Sequence, residues 1–520
     1  MAKVTFKPYP QYETLLLPPS LSELIPATHP VRLVNAVLDK IDISELKSTY
    51  VGGGASSYNP RMLLKVIVYG YLCNIYSGRQ LEKVITENIN FMWLAGMSRP
   101  DFRTINLFRS KRLKNGVFEK IFVRVVKLLQ EEGLISLEVQ YIDGTKIESA
   151  ANKYTFVWRG SVEKHKEKLV TKVHGVLKQA NEVLKRENDE NAPKEMTAEE
   201  FKEKAANMLE KLEKEQTAEK KTVKSLNKVV NEDAPRLKRY EEQLKIMGKR
   251  NSYSKTDTDA TFMRMKEDAM HNGQTKPGYN VQIATENQYI TNYDIYWRPT
   301  DTGTLIPFLN SFYAKYGSYG TEIVADSGYG SEQNYEFMFE QGLTPYVKFN
   351  MFHKEMKRAF KNNSFLPANM FYNTAKDYYV CPMGQHLTFC GTAETSSDLG
   401  YISTISFYRA QNCKGCPLRG MCYKGKADRR TIQINHKNNA YRNKARELLM
   451  SEKGLMHRGR RPIEPEAVFG DIKHNHGFKR FRLRSKDKVK VEFGLVALAH
   501  NLRKYFKQIT QREQKMMLAA

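Results

Sequence analysis

The sequence predicts an α/β protein in which a mixed sheet is covered by helices. Val139–Ile147 is an alternating, β-rich run carrying Asp143 beside Gly144. Residues 321–330 repeat the pattern, a short apolar run that ends on Asp326 just before Gly328, with a helix-like segment starting near Ser331. Between these runs, residues 279–285 and 289–296 read as two strands of a hairpin around a Glu286-Asn287-Gln288 turn, and Thr304–Tyr316 reads as a helix. Strands and helices mixed in that order fit one sheet with helical covers.

Composition narrows the partners. At 520 residues the chain can bury at least one large core and is long enough for roughly two to four structural units. Lys and Arg number 83 against 57 Asp and Glu, a formal net charge of +26, which attracts polyanions and makes nucleic acid the expected partner. A basic membrane-surface protein is the competing reading. No stretch approaches the ~20 consecutive apolar residues of a membrane span, and residues 1–7 carry no apolar signal core, so the expected place is the cytosol, nucleoid-associated when on DNA. Five of the six cysteines fall between Cys381 and Cys422, a clustering that suggests metal rather than disulfides.

Taken in order, residues 1–116 read as an N-terminal helical, DNA-binding part. A proline-dotted arm leads to a helix over about Val31–Leu46, then Met62, Leu63, Val66, Ile67, Tyr69 and Leu72 build one apolar helical face that Ser77-Gly78 breaks. Leu81, Val84 and Ile85 continue on a short helix. Ser98-Arg99-Pro100-Asp101 opens another, Phe102–Lys114, with Arg103, Arg109, Lys111, Arg112 and Lys114 on it. Three short helices with basic charge on the last resemble a helix-turn-helix, and Arg103, Arg109, Lys111 and Arg112 are the DNA-binding candidates. An ordinary bundle with a solvated basic face is the alternative.

Residues 117–160 begin the sheet-bearing core: Val117–Glu131 is an amphipathic helix closed by Gly133, and it delivers the chain to the Asp143 strand. Tyr154, Phe156 and Trp158 alternate, which more often means a strand packing a core face than aromatics on which bases stack. Residues 161–250 turn Lys- and Glu-rich, with Leu169, Val173, Val176, Val183 and Leu184 at helical spacing, Pro193 and Pro235 as punctuation and a capping box at Thr197-Ala198-Glu199-Glu200. They read as a coiled-coil-like helical insertion, an arm for DNA or a second subunit, or else a solvated charged spacer. Residues 251–350 continue the core.

Residues 351–440 hold the cysteine cluster, where Cys413-x2-Cys416 with Cys381 and Cys422 could supply four thiolates to a structural zinc knuckle, with Cys390 or His386 as substitutes. Reduced structural cysteines are the other reading. Residues 441–506 complete the core. There Gly477–Arg484 interleaves Lys479, Arg480 and Arg482 with apolar residues, as a phosphate-gripping strand or loop would, a solvated edge being the alternative, before a last helix over Val489–Phe506 and a tail at 507–520.

Carboxylates carry the chemistry. An aspartate at a strand next to glycine suits a metal ligand, although Asp143 alone would as easily form a local Asx turn. Asp326 repeats it, and Glu466 supplies a third from a helix. Pro465 suits the first turn of that helix, and Lys473, seven residues after Glu466, falls on the same face. Glu464 is a rival, but two positions along a helix turn it about 200° away from Glu466.

At these residues the chain resembles the DDE transposases of bacterial insertion sequences, most nearly the insertion-sequence family numbered eleven eighty-two. The likeness rests on Asp143–Glu148 with Asn152-Lys153-Tyr154, on Asp259–Met263 with Lys276–Asn280, on Ala325–Tyr329, on Glu466–Gly470 with Lys473, and on Asn501–Tyr505. It implies a ribonuclease-H-like core in which Asp143, Asp326 and Glu466 bind two Mg²⁺ or Mn²⁺ ions, with Arg461 and Lys473 holding DNA phosphate. Of that family's Tyr-Arg-Glu-Lys signature the tyrosine is missing, since Arg458 stands three positions before Arg461. The implied activity is binding of the element's terminal inverted repeats, strand cleavage, and joining of 3′-hydroxyl ends to target DNA, by a homo-oligomer on double-stranded DNA. A metal-dependent nuclease without strand transfer and a DNA-binding repressor with a decayed core are the alternatives.

Overall fold

The computed structural model describes residues 20–50, 56–184, 196–214, 220–265 and 273–519. The chain divides into two compact units, Met1–Ile135 with Val491–Ala520, and Ser136–Lys490. The expected N-terminal arm before Ser20 and Pro193 lie outside the described residues.

The first unit is helical. Where the sequence suggests one helix to Leu46, the chain forms Pro30–Lys40 and Ser44–Ser48, because Ile41 is extended (ψ 132°). Pro60–Leu72 starts as its sequence dictates: Pro60 needs no donor at the first turn, and the Asn59 carboxamide accepts from the amide of Arg61 at 2.9 Å. Gly78–Glu87 and Ile89–Leu94 follow. Phe102–Leu107 is capped by Asp101, whose Oδ1 accepts from the Thr104 amide at 2.7 Å, and it passes at Phe108 into a π-helical turn ending at Arg112.

Two of the expected DNA-binding cations are engaged within this unit. Arg109 is 3% exposed, donating to the Tyr71 hydroxyl at 2.9 Å, the Tyr76 carbonyl at 2.8 Å and the Asn106 side chain at 3.1 Å, so its guanidinium ties helices together. Arg112 lies over the Tyr50 ring at 4.3 Å and donates to the Thr49 carbonyl. Arg103 and Lys111 remain exposed.

The second unit is built on a six-stranded mixed sheet. Its strands, with a small pair inserted, are β1 (Val139–Glu148), β2 (Phe156–Trp158), β3 (Ser252–Ser254), β4 (Thr261–Arg264), β5 (Thr275–Glu286), β6 (Tyr289–Tyr296), β7 (Glu322–Ala325) and β8 (Thr344–Val347). The order runs β4-β5-β1-β7-β8, with β6 also on β5. β1 is antiparallel to β5 and parallel to β7, and β8 is parallel to β7. β1 is therefore central and buried nearly throughout, so both faces of its alternating run lie inside. The β5–β6 turn has both residues at positive φ, Asn287 at 51° and Gln288 at 62°, the handedness that matches strand twist. The helix Leu305–Tyr316 covers the sheet with Phe308 and Leu309 in the core under Ile323 and Tyr329.

Two insertions have cores of their own. Between β2 and β3 come the helices Arg159–Val183, Ala198–Lys214, Lys220–Lys228 and Ala234–Met247, packed around Leu169, Val173, Phe201, Leu226 and Val229. The capping box forms as the sequence suggests: the Thr197 amide donates to Glu200 at 2.7 Å, and the Glu200 amide to Thr197 Oγ1 at 3.3 Å. The second insertion is a sheet that the sequence reading did not foresee. Its strands, β9 (Phe371–Asn373), β10 (Tyr378–Val380), β11 (His386–Ser396), β12 (Ile402–Ala410) and β13 (Thr431–Ile434), are all antiparallel, in the order β13-β12-β11-β10-β9.

The aromatic run after β1 also differs from expectation. Tyr154 and Phe156 are exposed and the residue turned inward is Val157, because β2 pairs only with β3 and buries one narrow face.

Candidate active site

The register of the sheet places the first two carboxylates. Val139, Gln140 and Tyr141 pair with Glu322, Ile323 and Val324, and two residues further along each strand stand Asp143 and Asp326. Neighbouring strands lie about 4.8 Å apart, so the two aspartates share one level of the sheet. Asp143 is buried within β1. Asp326 follows the end of β7, where its Oδ1 accepts from the Gly328 amide at 2.8 Å in an Asx turn.

The third carboxylate arrives on a long helical run. Ser451 caps Glu452–Arg460, and the chain continues through a π turn, Pro462–Glu466, a short α segment, Ala467–Gly470, and another π turn, Asp471–Asn475. Pro465 thus sits inside the run, not at its first turn. A proline has no N–H and crowds the carbonyl four residues back, which the wider turn relieves.

Arg461 gathers the three. Its Nη2 lies 3.3 Å from Asp143 Oδ1 and 3.7 Å from Asp326 Oδ2, and its Nη1 lies 2.6 Å from Glu466 Oε1. The arginine side chain is 10% exposed and that of Glu466 48%, and among the described residues the arginine's Nε has no hydrogen-bond partner, so its two terminal nitrogens make the contacts to the carboxylates. Three carboxylates against one guanidinium leave two negative charges, which a part-buried site holds only with further cations. Lys348, just after β8, stands near the same groups: burial lowers its pKa first, then Arg461 and Arg458, while Asp326 and Glu466 oppose the fall.

A fourth carboxylate escaped the sequence reading. Asp301 accepts from Asn280 Nδ2 at 2.7 Å and Gln282 Nε2 at 2.9 Å, both on β5, and its Oδ1 lies 2.7 Å from where a Cβ on Gly144 would stand. Gly144 therefore makes room for this cross-strand network beside Asp143, where the sequence suggested room for a ligand. Below it the buried Tyr329 hydroxyl donates to Gln282; burial raises its pKa far above the usual value, and Asp301, Asp143 and Asp326 raise it further. The signal was an aspartate five residues past the end of the second hairpin strand, between Thr300 and Thr302.

Glu464 does not join this group. It is buried and accepts from Thr285 Oγ1 at 3.1 Å and from the Gln288 amide at 2.7 Å, fixing the β5–β6 turn. Lys473 departs from the phosphate-holding role implied for it. It is 5% exposed and donates to the carbonyl of Lys146 at 3.1 Å, since it follows Glu466 across a π turn that changes the helical phase and leaves it against β1. Lys479, Arg480 and Arg482 are exposed, on a segment that pairs with the end of β1 through the Phe481 amide and the Glu148 carbonyl at 2.9 Å.

The candidate zinc ligands converge on one cavity of about 30 Å³, lined by Cys381, Cys413, Cys416 and Cys422 together with Arg430, whose Nη1 donates to Cys422 Sγ at 2.9 Å. Cys390 is exposed and bonds the Phe407 carbonyl, and His386 stacks on Tyr378, so neither substitutes. Among the described residues no three His, Cys, Asp or Glu side chains are gathered closely enough to hold a metal ion in this conformation. At the carboxylate site Arg461 stands among them. The donor set nonetheless suits Mg²⁺ or Mn²⁺, being all hard oxygen with negative charge in excess of the resident cation.

Among the described residues no helix is long and apolar enough to cross a membrane. Neither a curated protein nor a solved structure matches the chain. Residues 19–111 match a family described as a transposase domain, and residues 380–506, which contain Arg461, Glu466 and Lys473, match one described as a transposase DDE domain. The two matches support a DDE-type transposase of insertion sequences.

Proposed function

We propose that the protein is a ribonuclease-H-like DDE transposase that binds the terminal inverted repeats of its own element, cuts DNA strands there and joins the 3′-hydroxyl ends to target DNA. The observation that carries this reading is the meeting of Asp143, Asp326 and Glu466 around Arg461. The strand order, antiparallel on one side of β1 and parallel on the other, supports the fold assignment.

Asp143, Asp326 and Glu466 would hold two divalent ions. When bound, these activate a water or 3′-hydroxyl and steady the leaving oxygen of a phosphoryl displacement. The chain's own residues do the rest. Asp143 is fixed by β1 between two paired strands, with Lys473 behind that strand on the Lys146 carbonyl. Asp301, Asn280 and Gln282 hold the floor next to it, so that little reorganisation is needed when charge develops. Arg461, whose guanidinium stands among the three carboxylates, would hold the phosphate of the strand being cut, with Lys348 nearby.

Asp143→Ala should bind inverted-repeat DNA with near wild-type affinity and show no Mg²⁺-dependent nicking or joining. Joining at the wild-type rate would refute the reading. A nuclease of the same fold would nick but yield no joined products from 3′-hydroxyl end DNA, plasmid and Mg²⁺.

A further inference from the structure

A second cleft opens at the far end of β1. It has a volume of about 520 Å³ and is lined by Glu148, Lys153, Tyr154, Lys276, Arg480 and Arg484 with the 150–152 backbone. Four cations face one carboxylate there, an excess of three positive charges. Lys276 and Arg480 both approach Glu148, at 3.3 and 3.7 Å, so that one acid is shared and the positive excess remains available.

Tyr154 stands 73% exposed at this cleft. An exposed aromatic by itself is ordinary, but this one sits on a loop fastened from several sides. The Asn152 amide donates to Thr256 Oγ1 at 2.8 Å, and the Tyr154 amide to Asn152 Oδ1 at 2.9 Å. Arg480 donates to the carbonyls of Ser149 and Ala151, both at 3.0 Å, and Arg484 to that of Ala150 at 3.2 Å. The backbone is thus held while the ring stays in solvent. The Lys153 ammonium lies 5.0 Å from the ring centroid. A phenol ring held out among cations, in a cleft within the roughly 300–1,000 Å³ of ligand sites, suits a nucleobase stacked on the ring with phosphates beside the lysines and arginines.

We propose that this cleft binds a DNA strand whose base is unpaired or turned out of the duplex, with Tyr154 as the stacking platform. The proposal rests on the transposase reading for the kind of polymer, and adds the form of substrate: DNA opened near the reacting phosphate. β1 rises about 3.3 Å per residue, so Glu148 lies about 17 Å along the strand from Asp143, the span of roughly five base pairs. Stacking does not read sequence, so the contact tolerates any base.

The test uses the full chain in EDTA, which prevents turnover, and two probes of about 30 base pairs, one fully paired and one forked with an unpaired arm carrying 2-aminopurine. Wild type should prefer the fork and quench the fluorophore. Tyr154→Ala should weaken fork binding roughly five- to a hundredfold, abolish the quench and leave paired-duplex binding within about twofold. Tyr154→Phe should behave as wild type, which separates a lost ring from a disturbed loop. Equal affinity of wild type for fork and duplex, or an unchanged quench in Tyr154→Ala, overturns the proposal. If wild type lacks Mg²⁺-dependent cutting and joining while Tyr154→Ala still loses the fork, the transposase reading fails and the stacking site stands. If wild type cuts and joins while Tyr154→Ala binds the fork normally, the reverse holds.

Discussion

Two glutamates two residues apart divide structural from chemical duty. Glu464 fastens the β5–β6 turn through Thr285 and the Gln288 amide, whereas Glu466 reaches the Arg461 guanidinium with its other side toward solvent. Glu464→Gln leaves one oxygen to accept from Thr285 and the Gln288 amide but removes its charge, so the melting temperature should fall, by an amount corresponding to about 1 kcal/mol, with cutting activity per folded molecule retained. Glu466→Gln should keep the melting temperature and lose the activity. The opposite pattern would make Glu464 the ligand. His457 offers a pH readout. It is buried between the Tyr141 hydroxyl at 2.8 Å and Glu322 at 3.0 Å, and burial lowers its pKa, with Glu322 opposing and Lys453 and Arg460 assisting. Its folded pKa lies below the ordinary 6.5, so as pH falls below about 6.5 the unfolded chain takes up a proton that the folded chain refuses. Stability present above that pH is lost on the way down to the folded pKa and then levels off. Melting curves from pH 8 to 5 should show a shallower loss in His457→Asn than in wild type; parallel profiles would remove His457 from the account. At this scale Asp143, Asp326 and Glu466 were legible, because each stands in a local pattern that a strand or helix repeats. Asp301, Lys348 and the inward turn of Arg109 were not, since they depend on which segments the tertiary fold brings alongside.

Elements were readable where one local rule fixed them and obscure where pairing did. The hairpin around Asn287 and Gln288, the Thr197 capping box and the Ser331 cap, which accepts from the Asn334 amide at 3.3 Å, all follow from a few adjacent residues. The β9–β13 sheet did not announce itself. Its strands are mostly exposed on one or both faces and interrupted by turns, so period-two hydrophobicity is faint, and attention fell on its cysteines instead. Cys413 and Cys416 stand on the loop leaving β12 and Cys381 follows β10, so the sheet brings Cys381 to one cavity of about 30 Å³ with Cys413, Cys416 and Cys422. We propose that Cys381, Cys413, Cys416 and Cys422 would together hold one structural zinc, with the Arg430 guanidinium off Cys422. The full-length protein purified without chelator should then carry one zinc per chain by elemental analysis, and Cys413→Ser with Cys416→Ser should carry none and melt lower. Metal-free wild type with an unchanged melting temperature on zinc addition would show the cavity to be a reduced thiol core.

The second unit is a sheet into which two bodies with cores of their own are inserted. The helical insertion leaves and rejoins between paired strands: Val157 faces Tyr253, Trp158 faces Ser252, and the Arg159 amide donates to the Asn251 carbonyl at 2.9 Å. Its entrance and exit are therefore adjacent, and Val157, Val162, Met247 and Tyr253 close over that junction as a small cluster. Beyond the junction the helices bury their own leucines and valines against one another. A body with its own core and neighbouring ends can be removed without opening the sheet, because a short flexible connector closes so small a gap at little entropic cost. Replacing residues 166–243 by a Gly-Ser linker should thus leave a cooperative melting transition and Mg²⁺-dependent nicking, since Asp143, Asp326, Asp301 and Glu466 all hang on the sheet and the Glu452–Asn475 run. We expect the shortened chain to lose self-association on end DNA, measured by light scattering of the complex, because an arm rich in Lys and Glu suits contact with a second copy through complementary charges. Loss of nicking in a chain that still melts cooperatively would instead place the arm in the chemistry, and unchanged mass of the DNA complex would leave it as a solvated spacer.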